Sequence, residues 1–140
     1  MKYVCDTPDD KTWFRIETEA EAGAESALMR HAVEKYFRRA HEEARYRYRP
    51  ATAGSIERDI GLAAHIQRTM PLFLTLRDAE GTALATAMLP PGGADDLAYG
   101  IIIVGPGNAD PYPEHRDAID ALARHLGFSL PAERCFPYRR

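Results

Sequence analysis

The stretch LFLTLRDAEGTALATAML, Leu72 to Leu89, decides the fold. Leu72, Leu74 and Leu76 alternate with Phe73, Thr75 and Arg77, which is the two-residue period of a strand. DAEG, Asp78 to Gly81, turns the chain, and TALATAML returns it. A hairpin makes antiparallel neighbours, so the sheet around it is expected to be mainly antiparallel.

Downstream, YGIIIVG (Tyr99 to Gly105) is a further strand, and its apolar run from Ile101 predicts burial on both faces. Asp110 to Leu126 reads as a helix with Ile119, Leu122, Ala123 and Leu126 on its buried side and Gly127 closing it. RCFPYRR adds an edge strand, a place that Pro137 suits better than a central one. PPGGADD, between the hairpin and the strand, is a connector.

Upstream of the hairpin, RPATAG breaks the chain, Ser55 can cap a helix from Ile56 to about Thr69, and Pro71 ends it. Ile56, Ile60, Ala63 and Met70 mark its expected buried side, and Gly61 weakens it by about 1 kcal/mol relative to alanine. Before that break, one long helix is expected from Thr18 to about Arg45. Thr18 and Glu21 have the spacing of a capping box. Leu28, Met29, Ala32, Val33, Tyr36, Phe37 and Ala40 form its apolar face. KYVCDT and TWFRIET, at the N-terminus, read as one or two strands. The order β-α-α-β-β-β-α, with a C-terminal edge strand, predicts a single α+β domain over residues 1–140. It has a mainly antiparallel sheet of about four to six strands and three helices.

A chain of 140 residues that is 45% hydrophobic and 28% charged can bury one core. No apolar run reaches the roughly 20 residues of a membrane span, and the N-terminus lacks the apolar segment of a secretory signal. Cys5 and Cys135 have no metal or disulfide spacing, so a reduced, cytoplasmic protein without a metal site or cofactor is expected. The net charge of −3 disfavours general nucleic-acid binding. Residues 28–50 nevertheless carry seven Lys/Arg against three acids.

That basic segment ends in EARYRYRP. If extended, it sets Arg45, Arg47 and Arg49 on one face and Tyr46 and Tyr48 on the other. Such a ladder can hold an acidic protein partner or a small anionic ligand, and less plausibly a single strand of nucleic acid. The plainer reading is a helix end, where cations suit the dipole and the tyrosines cover the core edge.

A second candidate is the loop after the Ile101 strand, VGPGNADPYPEH. Gly105 and Gly107 offer part of a phosphate fingerprint, but its last glycine position is Asp110, and Pro106, Pro111 and Pro113 each lack an amide donor. A turn followed by an Asp110 helix cap explains the same residues. Asn108, Asp110, Tyr112 and His115 remain as polar groups that could hold a ligand or exchange a proton.

The order of elements resembles that of the N-acetyltransferase superfamily: strand, two helices, three antiparallel strands, helix. The resemblance covers about 110 residues and rests on order, which does not assign function. It implies acyl-CoA held by the fourth strand and the next helix, with the pyrophosphate on a Q/R-x-x-G-x-G/A loop. That motif is absent between Val104 and Asp117. The sequence thus supports two readings. One is a small cytosolic, non-catalytic binding or accessory module, for which edge strands make a homodimer plausible. The other is an acyl-CoA-dependent N-acyltransferase-like enzyme with a degenerate cofactor loop.

Overall fold

The computed structural model describes residues 1–49, 54–91, 101–127, 129–132 and 135–136. Its strands are β1 (Lys2–Asp6), β2 (Thr12–Arg15), β3 (Leu72–Arg77), β4 (Ala83–Leu89), β5 (Ile101–Val104) and β6 (Cys135–Phe136). Its helices are α1 (Glu19–Met29), α2 (Val33–Arg47), α3 (Ser55–Thr69) and α4 (Tyr112–Leu126). The strands form one six-stranded sheet in chain order. Every neighbouring pair is antiparallel except β5 and β6, which α4 connects in parallel. The α+β class, the mainly antiparallel sheet and the C-terminal edge strand are as the sequence predicts.

The hairpin is built as its sequence requires. Asp78 Oδ1 accepts the amides of Glu80 and Thr82, and Gly81 takes a φ of 85° at no steric cost. Across it, Leu74 faces Ala87 and Leu76 faces Ala85 on one side, while Phe73 pairs with Met88 and Thr75 with Thr86 on the other. The first side packs with Trp13, Ile103 and the apolar stripe of α4, Ile119 and Leu122. Trp13 Nε1 donates to the Ala118 carbonyl at 2.8 Å, so the indole is anchored as well as buried. The second side packs Phe73 and Met70 against Ile16, Ala22, Val33 and Phe37, beneath α1 and α2.

Two expectations are corrected. The helix expected from Thr18 to Arg45 is two helices, which makes four among the described residues instead of three. Its capping box is present at Thr18, but α1 stops at Arg30, whose backbone is left-handed at φ 55°. Ser26 stabilises the break. Its carbonyl accepts the amides of Arg30 and His31, and its hydroxyl accepts that of Glu34 in the first turn of α2. The break resets the helical phase, so Met29, Val33 and Phe37 are buried while Leu28, Ala32 and Tyr36 are not.

The second correction is the face of α3. Ile56 and Ile60 are exposed, Ala63 is exposed as well, and only Met70 of the expected set is buried. The turn of α3 that meets α2 carries Gly61, where a Cβ would lie 2.1 Å from the Tyr48 hydroxyl. The glycine is therefore a close-approach site and sets the rotation of the helix. The side chain of Ser55, the PPGGADD connector beyond Pro91, Tyr99, Gly100 and Pro137 lie outside the described residues.

Candidate functional site

On the α1–α3 side the sheet carries a buried polar network. Ala22, Glu25 and Met29 share the inward stripe of α1, so the Glu25 carboxylate is driven, fully buried, onto the sheet. Oε1 accepts from Arg77 Nη2 at 2.7 Å, and Oε2 accepts from Thr86 Oγ1 at 2.6 Å. Arg77 also donates to Thr75 Oγ1 and to the Gly81 carbonyl. A hydroxyl has one hydrogen, and Thr86 gives its own to Glu25. Its 2.8 Å contact with His31 Nε2 therefore has the imidazole as donor. That fixes the Nε2–H tautomer, and Nδ1 accepts the Val33 amide at 3.4 Å. Burial pushes the His31 imidazole below its usual pKa, with Glu25 pulling weakly the other way, so the ring is neutral at pH 7.

His31 forms one wall of an open cleft of about 330 Å³. Val33 and Tyr36 at the start of α2 continue that wall, and Met88, Ile102 and Val104 make the floor. On this side of β5 Val104 is buried but Ile102 is partly exposed, while Ile101 and Ile103 are buried on the other side. The burial of this strand on both faces, expected from its apolar run, holds at Ile101, Ile103 and Val104 and fails at Ile102.

Asn108, at one end of the cleft, sits on the short turn Pro106–Asn108. Gly107 and Asn108 are left-handed there, at φ 63° and 61°. The amides of Gly105, Asn108 and Ala109 donate to the carbonyls of Ala109, Gly105 and Pro106. The turn thus satisfies these amides internally. Beside it, Arg30 reaches over from the end of α1: its Nη2 lies 3.7 Å from where a Gly107 Cβ would be.

The other residues singled out in this loop are placed apart from the cleft. Asp110 Oδ1 accepts the Tyr112 amide at 3.1 Å, a turn bond two residues on, while the N-cap of α4 is Pro111 and not Asp110. Tyr112 is a core residue, 2% exposed, with its hydroxyl 2.8 Å from the Leu130 carbonyl and 2.9 Å from Cys135 Sγ. Burial raises its pKa, so it is a phenol and not a phenolate. His115 Nδ1 accepts from Lys11 Nζ at 3.0 Å, and Lys11 is paired with Asp9. Burial and the Lys11 charge lower the His115 pKa.

The Arg/Tyr ladder is not extended at its start, because Arg45, Tyr46 and Arg47 form the last turn of α2. Arg47 pairs with Glu43, and Arg49 donates to the Tyr46 and Tyr48 carbonyls while stacking over the Tyr46 ring. Tyr48 turns inward against His65. Arg45 and Tyr46 are exposed.

Sequence reading missed Glu25, Arg30, His31, Arg77 and Thr86. No group of three or more His, Cys, Asp or Glu is arranged for a metal among the described residues, and Cys5 and Cys135 are buried. None of the described helices is long and apolar enough to cross a membrane. The chain matches no protein-family model, no curated protein and no solved structure.

Proposed function

We propose that the protein is a small non-catalytic binding module of the cytoplasm, and that the cleft between the start of α2 and strands β4 and β5 is where it holds a small ligand. One observation carries this reading. Ile102 is left partly exposed, between two buried isoleucines, on the floor of a cavity of about 330 Å³. Small-molecule sites run from about 300 to 1,000 Å³, with apolar walls and a few oriented polar groups. Asn108 supplies such a group here, while His31 lines the wall with both ring nitrogens bonded, Nε2 to Thr86 and Nδ1 to the Val33 amide.

The acyltransferase alternative would need free amides after β5 and a parting of β5 from β6. The amides are bonded locally, and Ile101 and Ile102 stay paired with Cys135 and Phe136. A protein partner on the Arg/Tyr segment draws less support than the cleft, because Arg47 and Arg49 already have partners in and beside α2. A homodimer would use the free edge of β1, where Tyr3 is exposed.

The cleft reading is tested with Nile red, a neutral dye that fluoresces in apolar sites. The dye should bind saturably, and Ile102→Trp should abolish binding by filling the floor while the protein still unfolds cooperatively. Dye binding that ignores the tryptophan, or no binding at all, would remove the reading.

A further inference from the structure

We infer that the cleft takes an amphipathic carboxylate, with a short apolar chain on the floor and the carboxylate at the rim between Arg30 and Asn108. This rests on the cleft being the binding site, as proposed above.

The charges set the direction. At the inner end, the Glu25 carboxylate behind Thr86 is neutralised by Arg77, so no net positive charge is there to draw an anion. Arg77 offers nothing to a ligand, because Glu25, Thr75 and Gly81 engage its guanidinium. His31 is neutral, and its Nε2–H is given to Thr86. At the rim the position is reversed. The Arg30 guanidinium makes no ion pair or hydrogen bond among the described residues, and it lies over the Gly107 turn next to Asn108. An anion therefore finds no free positive charge in the depth of the cleft and one at its mouth. The floor of Met88, Ile102 and Val104 takes the apolar chain behind the head group, and a methionine adapts to chains of different shape.

The backbone supports the same assignment. Arg30 sits at the left-handed C-cap of α1, where glycine is the common residue and a side chain is strained. A cation is carried there in spite of that strain. Asn108, in the turn that the guanidinium lies over, is also left-handed. Of the described positive-φ residues that are not glycine, these two meet at the Gly107 turn beside the cleft and the third, Asp10, is in the β1–β2 turn. A guanidinium fork with an amide beside it suits the two oxygens of a planar carboxylate.

The test is calorimetric titration of the full chain at pH 7.5 with octanoate, 1-octanol and octylammonium. Octanoate should bind about tenfold or more tightly than 1-octanol, and octylammonium weakest of the three. Affinity across straight-chain carboxylates should climb about fourfold for each CH₂ buried, then level off when the cleft is full. Arg30→Gly should bring octanoate down to the level of 1-octanol, leave 1-octanol unchanged, and keep or raise the melting temperature. The last readout separates a lost contact from a lost fold. Equal binding of octanoate and 1-octanol by the unmodified protein, or an Arg30→Gly variant that still prefers octanoate, would overturn the carboxylate assignment and leave the cleft standing. Failure of all three ligands to bind would overturn the cleft reading itself and this inference with it.

Discussion

On the α4 side of the sheet, Trp13, Leu76, Ile103, Ile119 and Leu122 are completely buried and pack against one another. On the α1–α3 side, the same strands present Thr86 to a buried glutamate, Thr75 to the arginine paired with it, and Ile102 to an open cleft. The first side has what a stable core needs. The second has features that stability alone does not ask for, since a buried ion pair is often no better than apolar residues of the same volume. The contrast is between a closed apolar face and one that, beside its own apolar cluster, carries a buried polar network and an open cleft.

The comparison can be broken first where the effect is largest. Glu25→Ala should cost about 3–5 kcal/mol, because it leaves Arg77 buried without its counter-charge. Urea denaturation measures this. The double variant Glu25→Met, Arg77→Met should recover much of that loss, since it removes both charges together. If the double variant is as unstable as the single one, the network is a core element and the two faces are alike.

Leu122→Ala, on the closed face, should cost about 2–5 kcal/mol and leave binding in the cleft unchanged. A change in ligand affinity there would mean that the faces are coupled through the sheet.

Lowering the pH should cost less. His31 and His115 are both held below the usual imidazole pKa by burial, His115 also by Lys11. Their unfolded forms bind protons from about pH 6.5 downward, before the folded forms do. The stability they contribute is present above about pH 6.5 and is lost as the pH falls through their folded values. Denaturation at about pH 7.5 and about pH 5 should show the lower stability in the more acidic buffer. Asp9 and Glu21, whose pKa values are also lowered, lose their contribution mainly as the pH falls below about 4.5 and change little between the two buffers. Equal stability in the two buffers would contradict the burial of both rings.

The smallest effect has the opposite sign. Arg30→Gly should stabilise the chain by about 0.5–1 kcal/mol by relieving the left-handed C-cap. A loss of stability would mean that the guanidinium holds the turn at Gly107 together instead of waiting for a ligand.

Local chemistry made much of this legible in the sequence. The alternation of Leu72 to Arg77, the DAEG turn and the stripe of α4 each carry their own signal. The break at Arg30 carries none, because an arginine does not announce a left-handed backbone, and Ser26 supports it from four residues away. The face of α3 is hidden for a related reason: Gly61 looks like a weakness until Tyr48 arrives from α2. Of the site, Asn108 was legible as a loop residue. Glu25, Arg77, Thr86 and His31 meet only in three dimensions. One clue was available, since Glu25 lies three residues after Ala22 and four before Met29, on an inward stripe where a carboxylate needs a partner. The threonines of the hairpin, facing the same way at Thr75 and Thr86, were that partner's other half.

The most direct test is a methyl NMR spectrum of the folded protein, labelled at isoleucine and methionine, with and without octanoate. The account expects shifts at Ile102 and Met88, on the floor of the cleft, and none at Ile103 and Ile119 on the closed face. Shifts at Ile56 and Ile60 on the exposed side of α3, or a spectrum that octanoate leaves unchanged, would contradict it.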